Sequence, residues 1–367
     1  MFVANADRRL ALVLNAVASA AALCQELAMT EPARIDLKPK DFATDQDVRW
    51  CPGCGDYAIL ASVQRALAKQ GIAPHQIATV AGIGCSSRFP YYMATYGFHS
   101  IHGRAPAFAT GLKIARPDLQ VWMATGDGDA LSIGGNHFIH LLRRNVDLKV
   151  MLFNNKIYGL TKGQFSPTSE FGKKTKSSPF GSVDHPFHPL SVAIGADAAF
   201  MARTIDVDAK TSADVFAAAA AYKGTAFIEI MQNCNIFNDG AWDHLAEKEH
   251  RADRTLLLEH GKPMIFGANR DKGIRLVGVR PEVFTIGEDG LTEADAWIHD
   301  AHDEDPTRAF LLSRMDWPSF PVPIGVIRAT QRDTFDELIN AQVEEVRAKK
   351  PANLQKLLEG RSSWLVG

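Results

Sequence analysis

The sequence predicts an α/β fold, a doubly wound parallel sheet with a C-terminal extension. Short apolar runs stand at 77–83, 119–125, 148–153 and 226–231, with Gly, Asn or Cys within three positions after each. Helical patterns rich in Ala and Leu fill the spaces between them. Strand-length runs alternating with helices imply βα units, and hence parallel strands. In chain order, 55–70 reads as a helix with Ala58, Leu60, Ala61, Val63, Ala66 and Leu67 on its apolar faces. A strand at 77–82 follows. The Ala-rich stretch 102–116 is a helix that stops before Pro117, because the residue preceding a proline is driven out of the α region. Strand 119–125, helix 131–144 and strand 148–153 make two further units. Later, 211–222 is a helix and 226–231 a strand.

The long stretch 161–189, rich in Ser, Thr, Gly, Pro and Lys, is a loop expected to cover a ligand or face a partner. His185 and His188 near its end are expected to be ordinary surface or interface residues. From about 247 the βα rhythm fades and charges rise. An amphipathic helix begins in 332–358, with Phe335, Leu338, Ile339 and Val343 on one side, and Pro351 breaks it. The expected organisation is a lead-in over 1–47, a binding domain over 48–246, and an extension over 247–367 that wraps the core or a partner.

A chain of 367 residues with 46% hydrophobic content can bury a large core, and a net charge of −2 offers no general field for nucleic acid. No unbroken apolar run reaches the ~18–20 residues that span a bilayer. Residues 8–28 place two arginines before an Ala/Leu/Val-rich segment that loosely resembles a signal peptide, but Asn15 interrupts it. A start at Met29, leading directly into the polar lead-in, is the preferred reading, and a cytoplasmic location is expected.

Gly126-Asp127-Gly128-Asp129 follows one strand, and Asn154-Asn155, then Lys156-Ile157-Tyr158-Gly159-Leu160-Thr161, follows the next. Ligands bind at that edge of open parallel sheets. A carboxylate from one loop and an amide oxygen from the other can hold an octahedral Mg²⁺ that keeps positions for phosphate oxygens. Gly126, Gly128 and Gly159 permit close backbone approach, so the pattern reads as a metal-bridged diphosphate site.

Of the five cysteines, Cys51 and Cys54 form a CxxC turn, while Cys85 and Cys234 each lie just past a predicted strand. Four thiolates could therefore converge near the same sheet edge. Spacing alone does not separate zinc from an iron-sulfur cluster, and a redox CxxC beside two core thiols is a third reading. Cys24 is expected to be inert.

The Gly-Asp-Gly and Asn-Asn pattern resembles the thiamine diphosphate motif. Together with Trp50-Cys51-Pro52-Gly53-Cys54-Gly55-Asp56, Gly82-Ile83-Gly84-Cys85-Ser86-Ser87 and His102-Gly103-Arg104-Ala105, all in this order, it resembles the β subunit of 2-oxoacid:ferredoxin oxidoreductases over about 45–240. The resemblance implies a thiamine-diphosphate-binding sheet and a 4Fe-4S cluster on Cys51, Cys54, Cys85 and Cys234. It also implies Mg²⁺ on Asp127, Asn155 and the Ile157 carbonyl. Cofactor contacts would come from Ile83, Gly84, Cys85, Ser86, His102, Gly103, Gly128, Asp129, Gly159, Leu160 and Thr161.

The implied reaction is oxidative decarboxylation of a 2-oxoacid with coenzyme A to acyl-CoA and CO₂, reversible in principle, with electrons leaving to ferredoxin. The sequence looks most like the 2-oxoglutarate branch, with pyruvate and branched-chain 2-oxoacids open. Arg88 is a candidate for a substrate carboxylate. Thiamine enzymes use an activating glutamate, and none occurs between Cys51 and Lys162. An α subunit is therefore expected to supply it, in a dimer of αβ units. Two other readings are a non-redox thiamine decarboxylase or carboligase with structural zinc, and a non-catalytic scaffold.

Overall fold

The computed structural model describes residues 35–350, 352–360 and 363–364. Cys24 and the Met29 start lie outside the described residues.

Six parallel strands build the centre of the sheet: β1 (Ile77–Ala81), β2 (Tyr96–His99), β3 (Gln120–Gly126), β4 (Lys149–Asn154), β5 (Phe200–Ile205) and β6 (Ala226–Met231). Their spatial order is β2-β1-β3-β4-β6-β5. The chain runs outward from β1 to β2 and then returns to the other side of β1 as β3. The crevice at the ends of β1 and β3 is therefore a topological switch point, where doubly wound sheets take their ligands.

Alternation along the strands divides the core between the two faces. Val121 and Met123 of β3 join Val150 and Leu152 of β4 on one face, where Phe138, Leu141 and Leu142 of helix Gly135–Arg144 pack. Trp122 and Ala124 join Met151 and Phe153 on the other, against Leu60, Val63 and Leu67 of helix Asp56–Gln70 and Val215 and Phe216 of helix Ala209–Ala221. This period of two, buried on both sides, explains why the strands read as unbroken apolar runs.

Local signals set the helix ends. Gly71 (φ 74°) and Asn145 (φ 52°) close their helices in the left-handed region. Asp208 caps the helix at Ala209–Ala221 by accepting from Thr211 N–H.

Three expectations need correction. The helix expected at 131–144 begins only at Gly135, because Ser132 (φ −95°, ψ −107°) leaves the helical region after a separate short helix at Asp127–Leu131. The helix expected at 102–116 begins only at Ala105, since Gly103 takes φ 69° and turns its N–H to Asp129 Oδ1. The apolar side expected for the C-terminal helix is only partly covered in helix Phe335–Lys349: Phe335 packs on the core, whereas Leu338 and Val343 are exposed.

The stretch expected to wrap the core also extends the sheet. β11 (Val322–Ala329) pairs antiparallel with β5, and β7 (Thr255–Leu258) pairs parallel with β11. Between them, β8 (Ile265–Phe266), β9 (Lys272–Val277) and β10 (Arg280–Thr285) form a separate antiparallel sheet.

Candidate functional site

The loops following β1, β3, β4 and β6 leave the same edge of four adjacent strands, and every predicted site motif but the CxxC turn lies in or next to them. A cavity of about 120 Å³ is lined by Ile83, Gly84, Cys85, Ser86, His102, Asp127, Gly128, Asp129, Asn155, Ile157, Gly159, Leu160 and Thr161. Of the expected cofactor and Mg²⁺ residues only Gly103 is outside this lining, and its N–H donates to Asp129 Oδ1 at 2.7 Å. Space is tight: a Cβ on Gly128 would stand 2.2 Å from the Tyr158 ring, whose hydroxyl donates to the Gly128 carbonyl.

Asp127 is buried, and burial pushes its carboxyl up to about 6 despite hydrogen bonds from Ser166 and Thr168. Both hydroxyls donate to Oδ2 at 2.5 Å. These two residues come from the long loop and were missed in the sequence, where nothing but its expected covering role pointed to them. Asn155 Oδ1 accepts from Ile157 N–H at 3.2 Å, turning the chain so that both residues face the cavity. The preceding Asn154 points elsewhere: its Oδ1 lies 3.0 Å from Thr168 Oγ1, and its Nδ2 donates to Glu229, which is ion-paired with buried Arg203.

Asp129 holds the loops together rather than standing free. Its Oδ1 accepts from Ile83 N–H, Gly103 N–H and His102 Nδ1, and its Oδ2 accepts from Thr125 Oγ1. His102 is thereby fixed with its ring at the cavity wall.

A second cavity of about 250 Å³ is lined by all four expected cysteines, Cys51, Cys54, Cys85 and Cys234, together with Asp56, Arg88, Lys162 and Gln232. It shares Cys85, Asn155, Gly159 and Leu160 with the first. Gly159 stands against both sulfurs: a Cβ there would lie 3.5 Å from Cys234 Sγ and 3.6 Å from Cys85 Sγ, in van der Waals contact with each. Trp50 Nε1 donates to the Cys85 carbonyl, Gly55 N–H to Asn233 O and Asn235 Nδ2 to Pro52 O, tying the three cysteine segments into one wall.

Burial pushes the Cys85 thiol up to about 12, with Asp56 and the neighbouring thiols adding to the effect. Cys54 is raised further by burial and by Asp56. Asp56, fully buried beside Asp206, is itself raised to about 7. Bare thiolates are thus disfavoured in this pocket. Among the described residues no three His, Cys, Asp or Glu side chains close around a single-ion position, so the sulfurs border a cavity rather than a point.

A third, more open cleft of about 560 Å³ adjoins both, sharing Ile83, Gly84 and Leu160 with the first and Arg49, Arg88 and Leu160 with the second. Arg88 donates to the Arg49 carbonyl at 3.2 Å.

Residues 78–230 match the model of the thiamine pyrophosphate enzyme C-terminal TPP-binding domain. The chain is 52% identical to 2-oxoglutarate oxidoreductase subunit KorB of Mycobacterium tuberculosis, over 90% of this chain and 88% of that one. It is 34% identical to the β subunit of 2-oxoacid:ferredoxin oxidoreductase 1 of Aeropyrum pernix, over 87% and 89%. The chain belongs to the 2-oxoacid:ferredoxin oxidoreductase β-subunit family.

A solved member, the 2-oxoglutarate:ferredoxin oxidoreductase from Magnetococcus marinus with 2-oxoglutarate, coenzyme A and succinyl-CoA bound, superposes with a TM-score of 0.72 at 32% identity. That match covers 90% of this chain and 98% of that one. Within this β subunit, His185 stacks on Phe171, and His188 lines a different cavity beside Arg203 and Trp242. Neither lines the cavity around Asp127 and Asn155. Among the described residues, no helix is long and apolar enough to cross a membrane.

Proposed function

We propose that this chain is the β subunit of a 2-oxoglutarate:ferredoxin oxidoreductase, converting 2-oxoglutarate and coenzyme A to succinyl-CoA and CO₂ while two electrons pass to ferredoxin. The observation that carries this reading is the shared wall of the two cavities, Cys85, Asn155, Gly159 and Leu160. A simple decarboxylase has no use for an electron-accepting centre against its diphosphate site.

Asp127, Asn155 and the Ile157 carbonyl would hold Mg²⁺, a donor set of hard oxygens suited to it. Gly128, Gly159, Leu160 and Thr161 would border the diphosphate, with Ile83, Gly84, Ser86, His102 and Gly103 at the reacting end. Asp129 keeps these loops in register. Thiamine diphosphate supplies carbanion stabilisation at a 2-oxo carbon. Cys51, Cys54, Cys85 and Cys234 would hold a 4Fe-4S cluster, which supplies one-electron transfer; the roomy, four-thiol cavity supports a cluster over a single zinc. Exposure of Cys51 gives the electrons a way out.

Arg88, at the junction of the open cleft and the thiol cavity, is assigned to a substrate carboxylate. The wider reading includes a dimer of αβ units in the cytoplasm, with the activating glutamate on the α subunit. The test is turnover of 2-oxoglutarate, with coenzyme A and a ferredoxin, by this chain alone and after mixing with the α subunit. Activity only in the mixture supports the reading, and robust activity from the isolated chain contradicts it. Unchanged 2-oxoglutarate kinetics in Arg88→Ala would remove its substrate role.

A further inference from the structure

We propose that Gln232 is a positioning residue that raises the reduction potential of the cluster by donating a hydrogen bond to the sulfur of Cys54. The inference rests on the cluster reading above. Gln232 Nε2 lies 3.3 Å from Cys54 Sγ, and the side chain lines the four-thiol cavity. The residue is 1% exposed. Its backbone is pinned just past β6, where its N–H donates to the Asn154 carbonyl at 3.1 Å.

The second neighbour of Nε2 is the Asn233 carbonyl, 2.5 Å away. Both neighbours are acceptors, so the amide nitrogen belongs on this side, and a flipped amide would set its oxygen against a carbonyl and a thiolate. The other amide atom, Oε1, is buried without a hydrogen-bond partner. An orphaned buried acceptor is costly, and an apolar side chain of similar length would avoid that cost. The N–H groups alone give the amide a use here.

Hydrogen bonds to ligand sulfurs and nearby charge are among the levers that set iron-sulfur potentials. A donor to a thiolate withdraws electron density and favours the reduced cluster. The Gln232 side chain also meets the CxxC turn closely, since a Cβ on Gly55 would stand 3.0 Å from Gln232 Cγ.

The experiment compares wild type, Gln232→Met and Gln232→Glu, each purified anaerobically with the α subunit. Iron is counted, and the cluster midpoint is read by redox titration with electron paramagnetic resonance. Methionine keeps the length and removes the donor; glutamate keeps the shape and replaces the donor with an acceptor. With iron retained, both variants should titrate at lower potential, the glutamate variant lower than the methionine one. At the wild-type midpoint, the reduced-to-oxidised ratio of Gln232→Met should fall roughly three- to tenfold, the latter being ~59 mV for one electron. An unchanged or raised midpoint in either iron-retaining variant overturns the inference. Loss of iron from both, with the complex otherwise intact, also overturns it by making Gln232 a requirement for assembly. Absence of iron from the wild type would instead defeat the cluster reading itself.

Discussion

Asp129 and Thr168 differ in how they could be found. Asp129 stands in a recognisable Gly-Asp-Gly-Asp string, although its structural work differs from lining a diphosphate: it gathers donors from the loops after β1 and before helix Ala105–Ala115. Asp129→Asn removes the negative charge from the acceptor of those bonds and sets its NH₂ against Thr125 Oγ1. We expect a stability loss of about 3 kcal/mol or more, measured by denaturant unfolding, because several charge-assisted bonds fail together. Thr168 reaches Asp127 across 41 positions from a loop without periodicity, so no local pattern could reveal it. Thr168→Val removes a donor that orients the Asp127 carboxylate, the proposed Mg²⁺ ligand. Thiamine diphosphate binding in the presence of Mg²⁺, followed by calorimetry, should weaken about 10–100-fold with little change in unfolding temperature. Unaltered affinity would show that Ser166 alone suffices to hold Asp127.

Among the elements, β1, β3, β4 and β6 were legible because each is an apolar run buried on both faces. β5 was not, since Arg203 interrupts it. Only the register with β6 resolves that charge, placing Arg203 directly beside Glu229 in the next strand. β2 escaped for the opposite reason: all four of its residues are exposed at the sheet edge, so burial imposes no pattern.

A buried ionic clamp fixes the start of β4. Asp147 lies 3.0 Å from Lys113 and 2.9 Å from Lys149, two lysines that are only 6% and 3% exposed at the side chain. Burial raises the Asp147 carboxyl, but Lys149 and Lys113 together pull it down to about 2. Its folded value therefore lies below its unfolded one. The stabilisation is complete above the ordinary carboxylate range and is lost as pH falls toward about 2. Asp147→Asn leaves two buried ammonium groups short of a counter-charge and should cost about 3–5 kcal/mol near neutral pH. Denaturant melts of the two proteins should draw together below pH ~4. A gap that persists unchanged to pH ~2 would mean that shape rather than charge is lost.

For the whole molecule, the sequence conveyed the catalytic half more fully than the C-terminal third. Motifs at strand ends are local, and four of them met in one crevice. The partnership of β7 and β11 with β5 is long-range and partly antiparallel, which no βα rhythm announces. The extension is thus continuous with the sheet it was expected only to wrap. The molecule also leaves Phe180 and Val183 of the long loop almost fully open.

The central claim is that a diphosphate site and an electron-accepting thiol site share a wall and work together. Its most direct test is anaerobic co-purification with the α subunit, analysis for iron, sulfide and zinc, and an absorption spectrum during addition of 2-oxoglutarate and coenzyme A. The account predicts about four irons per β chain and bleaching of a broad band near ~400 nm as substrate electrons reach the cluster. Zinc in a colourless complex would contradict it and leave a thiamine enzyme without redox function.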